Sequence, residues 1–133
     1  MNKILIIDDS QLVRNFHSYI VKEAGFEVTT AVDGVDGLEK FFNDRFDIVL
    51  TDINMQGMDG YEFIRRARQS GQHDHVPIII ISTQGSENDK MRGFAAGANL
   101  FLAKPSDASR IVASIKMLLG STTQSRGNSP IPA

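Results

Sequence analysis

Short apolar runs recur along this chain, and polar side chains suited to catalysis or metal binding follow four of them. Residues 4–7 precede Asp8 and Asp9, residues 48–51 precede Asp52, residues 78–81 precede Ser82, and residues 100–103 precede Lys104. Such runs, alternating with longer segments of helical periodicity, are typical of a parallel sheet with crossover helices. The carboxyl ends of parallel strands meet at one edge, so we expect these polar side chains to converge there.

The apolar runs also predict the order of the strands. Residues 4–7, 48–51 and 78–81 are nearly continuous Ile, Leu and Val, which is typical of central strands buried on both faces. The short runs at residues 27–31 and 100–103 are then edge strands, and right-handed crossovers give the order 2-1-3-4-5. We therefore predict an α/β fold, a doubly wound five-stranded parallel sheet with five helices on both faces.

Helical periodicity predicts helices at residues 10–24, 35–43, 61–70, 87–96 and 107–119. The first is expected to begin at Ser10 as its N-cap and to place His17 near its exposed side. Its predicted inward side chains are Val13, Phe16, Ile20 and Ala24. Residues 1–119 form the predicted domain. Residues 120–133 are polar and without pattern, which predicts a disordered tail or the start of a linker.

Size and charge limit the classes of function. A chain of 133 residues is long enough for one ordinary domain and too short for two. A net charge of −2 gives no reason to expect nucleic acid as a direct partner. The absence of cysteine excludes disulfides and thiolate metal sites. No run is long enough to span a membrane, so we expect a cytoplasmic protein without membrane contact.

Three aspartates at one sheet edge predict a metal site. Asp8, Asp9 and Asp52 repel one another and need a compensating cation, and carboxylate oxygens with open water positions suit Mg²⁺. The neighbouring Lys104 would balance charge and could bind a phosphoryl oxygen. Taken singly, these residues have ordinary explanations: Asp8 and Asp9 as helix caps, Ser82 as a turn residue, and Lys104 in a structural salt bridge.

As a set, these residues resemble the receiver domain of two-component response regulators, over about residues 3–119. The matching features are Asp8-Asp9, the Asp-Ile-Asn-Met-Gln-Gly-Met-Asp-Gly segment at residues 52–60, Ser82, Ala-Gly-Ala at residues 96–98, and Lys104-Pro105. The resemblance implies a flavodoxin-like, CheY-like fold. It also implies a signalling protein that catalyses only its own phosphorylation and dephosphorylation.

By this resemblance Asp52 is the phosphoacceptor and a sensor histidine kinase is the phosphodonor. Mg²⁺ would be held by Asp9, Asp52 and the backbone carbonyl of Asn54, with Asp8 acting through water. Lys104 and Ser82 would complete the catalytic set, and the amides of Asn54 and Gln84 would tune the acyl-phosphate lifetime. Ser82 and Phe101 would form the switch, and helix four, strand five and helix five would contact a downstream protein.

Some positions depart from the family pattern. Gln56 stands where many receivers have proline, Phe101 lacks the hydroxyl of the chemotaxis tyrosine, and Ser106 stands where phenylalanine is frequent. Asn99-Leu100 replaces the acidic pair often seen in dimerising transcription-factor receivers. These departures weaken a dimeric transcription-factor assignment. Because no output domain follows helix five in this sequence, we expect a monomeric, single-domain regulator of the chemotaxis or motility type.

Other interpretations remain open from the sequence. The chain could be the N-terminal receiver of a larger regulator with an output domain, or a pseudo-receiver that binds partners without phosphorylation. A phosphatase of haloacid dehalogenase type is disfavoured, because strand one ends in Asp8-Asp9-Ser10 rather than in Asp-x-Asp. An FMN-binding flavodoxin is disfavoured because two aspartates would repel the phosphate.

Overall fold

The computed structural model describes residues 2–127, with side chains described as far as Gly120. Strands and helices alternate through this range. The elements are β1 (Lys3–Ile7), α1 (Gln11–Glu23), β2 (Glu27–Ala31), α2 (Gly34–Asn43), β3 (Ile48–Thr51), α3 (Gly60–Gln69), β4 (Ile78–Ser82), α4 (Glu87–Ala96), β5 (Leu100–Ala103) and α5 (Ala108–Gly127).

All five strands are parallel and lie in the order β2-β1-β3-β4-β5, which confirms the predicted sheet. The register pairs Ile7 with Thr51 and Ser82 with Ala103. The residues that follow β1, β3, β4 and β5 therefore lie along one edge of the sheet, as the strand-end argument requires.

The sheet separates two apolar layers. Successive β4 side chains alternate between them, since Ile78 and Ile80 join one cluster and Ile79 and Ile81 join the other. The first cluster packs the sheet against α2, α3 and α4, through side chains such as Phe41. The second cluster packs the opposite face against α1 and α5, which contribute Ile20, Val21, Ile111 and Ile115.

Helix α1 is rotated relative to the prediction. Ser10 is its N-cap as expected, and the Ser10 hydroxyl accepts a hydrogen bond from the Val13 amide. The buried side chains are His17, Ile20 and Val21, whereas Phe16 is half exposed. The predictions of an inward Phe16 and an exposed His17 are therefore wrong. Two sets of helical positions that are offset by one residue lie about 100° apart around the helix axis. Helix α1 carries apolar residues in both sets, so the apolar pattern is compatible with burying either one.

Helix α5 continues beyond its predicted end at residue 119 and reaches Gly127. The predicted start of the tail at Gly120 thus lies inside a helix. Residues 128–133 lie outside the described residues, and disorder there stays a prediction. Within residues 2–127, no helix is long and apolar enough to cross a membrane.

Candidate functional site

Backbone hydrogen bonds continue the sheet past the strand ends and position the polar residues that follow. The bonds are Asp8 N to Ala31 O (3.2 Å), Asp52 N to Ile7 O (3.0 Å) and Lys104 N to Ser82 O (2.8 Å). Asp8, Asp52 and Lys104 are therefore placed by main-chain geometry that continues the sheet. The Lys104–Pro105 peptide bond is cis.

Lys104 joins two of the three aspartates. The Lys104 Nζ lies 2.8 Å from Asp8 Oδ2 and 3.2 Å from Asp52 Oδ2. Burial lowers the pKa of Lys104, but the hydrogen bond to Asp8 and the charges of both aspartates outweigh that effect and raise the pKa above its ordinary value. The ammonium group is therefore charged at neutral pH.

The carboxylate and backbone groups of Asp8 are fully engaged within the protein. The Ser10 amide donates to Asp8 Oδ1 at 2.9 Å, and the Arg14 guanidinium donates to the Asp8 carbonyl at 2.7 Å. With Lys104 on Oδ2, no oxygen of Asp8 lacks a protein donor. This arrangement suits Asp8 to hold Lys104 and other donors in place more than to bind a metal directly.

Asp9 differs from its neighbour, because its carboxylate is exposed and accepts no hydrogen bond from any described residue. One oxygen from each of Asp8, Asp9 and Asp52 lies within 4.8 Å of the others. Three carboxylates at this spacing form the hard, anionic donor set that Mg²⁺ prefers. The residues present therefore fit a divalent cation, with Asp9 the most accessible ligand.

Ionisation of the Asp52 carboxyl group is less favourable in the folded chain than in the unfolded chain. Burial of the Asp52 carboxyl group raises its pKa most, and the nearby charge of Asp8 raises it further. The charge of Lys104 and a hydrogen bond from the Ile53 amide (2.7 Å) lower the pKa, but the net shift is upward. The folded chain thus binds the Asp52 proton more tightly than the unfolded chain, so this residue costs stability once the pH rises through its folded pKa.

We therefore expect the isosteric change Asp52→Asn to stabilise the metal-free protein at pH 7, by about 1 kcal/mol, or about 4 °C in Tm. The gain should shrink as the pH falls toward the ordinary aspartate pKa, because protonation removes the same charge. Thermal melts in EDTA at pH 7 and at acid pH test this, with the surface change Asp74→Asn as control. A native chain more stable than Asp52→Asn at pH 7 would contradict it.

Three further predicted polar residues lie at the end of β4 and on the loops that follow β3 and β4. Ser82 is fully buried at the end of β4, and its hydroxyl accepts a hydrogen bond from the Gln84 amide at 3.0 Å. The side chains of Gln84 and Asn54 are exposed, on the loops after β4 and β3. Amide groups on both sides of the site are thus accessible to solvent.

Phe101 is buried and belongs to the cluster that includes α2, α3 and α4. Its ring lies against α4, close to Gly93, where an added Cβ would lie 3.4 Å from a ring carbon. Phe101 therefore fills space between β5 and α4 in this conformation, and it does not face outward.

The start of α3 lies directly against the backbone of Asp52. A Cβ atom at Gly60 would lie 2.1 Å from the Asp52 carbonyl oxygen and 2.9 Å from Ile53 Cα. The Gly60 amide donates to the Ile53 carbonyl at 2.9 Å. Only glycine allows this approach, so Gly60 fixes the loop that presents Asp52.

Three further residues near the site were not predicted from the sequence to belong to it. His17 is buried, and burial together with the Lys104 charge lowers its pKa, so the imidazole is neutral at pH 7. Arg14 holds the Asp8 carbonyl, and Tyr61 joins α3 to α4. A basic residue six positions after an acidic pair is the one sequence signal that could have indicated Arg14.

Known proteins share both sequence and fold with this chain. Residues 4–116 match the family described as the response regulator receiver domain. The transcriptional regulatory protein CseB of Streptomyces coelicolor is 35% identical over 116 residues, which are 87% of this chain and 48% of that protein. A gliding motility regulatory protein of Myxococcus xanthus is 36% identical over 102 residues, 77% of this chain and 13% of that protein.

Among solved structures, the Vibrio cholerae chemotaxis protein CheY4 is 36% identical, with a TM-score of 0.85. The match covers 89% of this chain and 98% of the CheY4 chain. This chain therefore spans about half of CseB, a small part of the Myxococcus protein, and nearly all of the CheY4 chain.

Proposed function

Because this chain belongs to the family of response regulator receiver domains, we propose that it accepts a phosphoryl group on Asp52 from a sensor histidine kinase. The observation that carries the proposal is the shared hydrogen bonding of Lys104 to Asp8 and Asp52 beside an accessible Asp9. A carboxylate nucleophile attacks phosphorus, the bond to the donor nitrogen breaks, and an aspartyl phosphate remains. Receiver domains of this family use Mg²⁺ at their acidic pocket.

Each residue of the site would have its own role in phosphoryl transfer. Asp52 Oδ2 is the nucleophilic atom, and Lys104 Nζ, held by Asp8, neutralises charge on the transferred oxygens. Asp9, Asp52 and the Asn54 carbonyl would bind the Mg²⁺ ion, which supplies further charge neutralisation when bound. Asp8 would act through water, in keeping with its two occupied carboxylate oxygens. The exposed Asn54 and Gln84 would tune hydrolysis.

Measurement of intact mass after incubation with acetyl phosphate and Mg²⁺ would test the proposal. We expect an increment of one phosphoryl group, labile to hydroxylamine and located by peptide mapping to Asp52. Chelation of Mg²⁺ with EDTA should remove the increment, because the three carboxylates then repel the incoming phosphate. If the native chain binds Mg²⁺ but gains no mass, it is a phosphorylation-independent pseudo-receiver and the proposal is wrong.

A second prediction concerns Lys104. The change Lys104→Met removes one charge-assisted hydrogen bond to the transferred group, worth about 1.5–3 kcal/mol, so the rate of phosphorylation should fall about 10- to 100-fold. Mg²⁺ binding should persist, since three carboxylates remain without an internal cation. Stopped assays with acetyl phosphate and calorimetric titration with Mg²⁺ measure the two effects. The surface change Lys40→Met is the control, and equal rates for native and Lys104→Met would contradict the assigned role.

The downstream consequence follows from the same contacts. The Ser82 hydroxyl accepts from the Gln84 amide and would donate its own proton to a phosphoryl oxygen, and movement of Ser82 toward that oxygen would let Phe101 shift against α4. Two charge-assisted hydrogen bonds, from Ser82 and Lys104, supply about 3–6 kcal/mol, enough to shift a two-state equilibrium. The surface formed by α4, β5 and α5 would then bind a downstream protein.

We propose a monomeric, single-domain regulator of the chemotaxis or motility type, in keeping with the near-complete coverage of CheY4. The alternative is a receiver within a longer regulator, favoured by the 48% coverage of CseB. In that alternative an output domain, rather than the receiver, would contact DNA.

A further inference from the structure

The site has two walls, and one tyrosine joins them. The first wall is the loop from Asp52 to Gly60, which ends where Gly60 packs against the Asp52 carbonyl. Tyr61, the next residue, is 2% exposed. Its hydroxyl donates to the Asp89 carbonyl on α4 at 3.1 Å. This contact spans 28 residues of sequence and belongs to none of the groups assigned to the reaction above.

The second wall is the loop from Ser82 to Ser86, and Asp89 lies directly beyond it. Ser86 and Asp89 form a capping box: the Ser86 hydroxyl accepts from the Asp89 amide, and the Asp89 carboxylate accepts from the Ser86 amide. At its other end the loop is held by the Gln84 amide on Ser82. Tyr61 therefore contacts the first turn of α4, which also terminates the loop carrying Ser82 and Gln84.

Contacts to both its ring and its hydroxyl hold the Tyr61 side chain in place. The Arg92 guanidinium stacks on its ring, 4.2 Å from the centroid, which is within the range of a cation–π contact. Burial and the nearby Asp89 raise the pKa of Tyr61 above its ordinary value, so the hydroxyl remains a donor at neutral pH. Ring, hydroxyl and guanidinium together fix α4 relative to the start of α3.

We propose that Tyr61 is a positioning residue that fixes the loop carrying Ser82 and Gln84 relative to Asp52, through its hydrogen bond to Asp89. The inference rests on the proposed function, because it assigns a role in acyl-phosphate lifetime and in the response of α4. It adds a second link between Asp52 and α4, separate from Ser82 and Phe101. Displacement of the Asp52 loop on phosphorylation would reach α4 through Gly60 and Tyr61.

The test is hydrogen exchange of Tyr61→Phe, which keeps the ring and removes only the hydroxyl. The control is Tyr19→Phe, because the Tyr19 side chain is 66% exposed on α1. In the resting proteins we expect amides of the first turn of α4 to exchange about five-fold faster in Tyr61→Phe. Exchange equal to that of the native chain would overturn the inference, whether or not the protein is phosphorylated.

A second measurement separates positioning from general stability. With acetyl phosphate and Mg²⁺, Tyr61→Phe should be phosphorylated at the native rate and bind Mg²⁺ with native affinity. Its acyl phosphate should decay at least about two-fold faster, and its exchange response in α4 should be less than about half of the native response. Native lifetime and native response would overturn the role. Absence of phosphorylation in the native chain would instead overturn the proposed function, while the resting measurement still decides the Tyr61 contact.

Discussion

The change Asp52→Asn is expected to abolish phosphorylation by acetyl phosphate. An amide oxygen is too weak a nucleophile to form the acyl phosphate, and no neighbouring carboxylate is equivalently placed. Asp8 has both carboxylate oxygens occupied by Ser10 and Lys104. Asp9 has free oxygens, but it is outside the reach of any Lys104 hydrogen bond in this structure.

Stability cannot explain the expected loss, since Asp52→Asn should fold at least as well as the native chain. Intact mass with excess Mg²⁺ is the measurement, and Asp74→Asn, which changes the same atoms on the surface, should take up phosphate normally. Calorimetry should show that Asp52→Asn still binds Mg²⁺, more weakly, through Asp9. A full phosphoryl increment on Asp52→Asn would place the acceptor elsewhere and contradict the assignment.

The change Gly60→Ala is expected to destabilise the protein by about 3 kcal/mol or more. The added Cβ would meet the Asp52 carbonyl oxygen at 2.1 Å and Ile53 Cα at 2.9 Å, and neither atom can rotate away as a side chain would. Overpacking in close-packed interiors typically costs about 1–3 kcal/mol, and this contact lies at the severe end because both atoms are backbone. Relief requires moving the loop that presents Asp52, so phosphorylation should also slow.

Urea unfolding measures the first effect and the acetyl phosphate rate measures the second. Gly85→Ala is the matched control, because no atom lies within 4 Å of the Cβ it would add, and its stability should stay within about 0.5 kcal/mol of native. If Gly60→Ala unfolds at the native urea midpoint, the loop is free to relax and Gly60 does not position Asp52.

The meeting of Asp8, Asp52 and Lys104 was predictable from where the strands end. Apolar runs fix where β1, β3 and β5 end, and sheet geometry then brings Asp8, Asp52 and Lys104 together. No further information is needed, because in a parallel sheet the alignment of strand ends follows from topology. The order of the strands was predictable from the composition of the same runs, because only wholly apolar strands tolerate burial on both faces.

Three features were not predictable from local pattern. The face that α1 buries depends on how the helix packs against the sheet, and its sequence offers two apolar stripes, of which the one through His17 is buried. Helix α5 continues past its last apolar residues to Gly127, and extending an existing helix is easier than nucleating a new one, so the loss of apolar pattern at residue 120 does not mark its end. The contact between Tyr61 and Asp89 escapes sequence reasoning altogether, since any residue supplies a backbone carbonyl.

The sheet separates the interior into two apolar layers, so a change in one layer need not disturb the other. Phe101 belongs to the layer with α2, α3 and α4, whereas Ile111 and Ile115 of α5 belong to the layer with α1. A rearrangement that begins at Phe101 can therefore repack one half of the interior while the other half keeps its contacts. If the proposed switch operates in this way, it would rearrange the layer of α2, α3 and α4 without unfolding the whole chain.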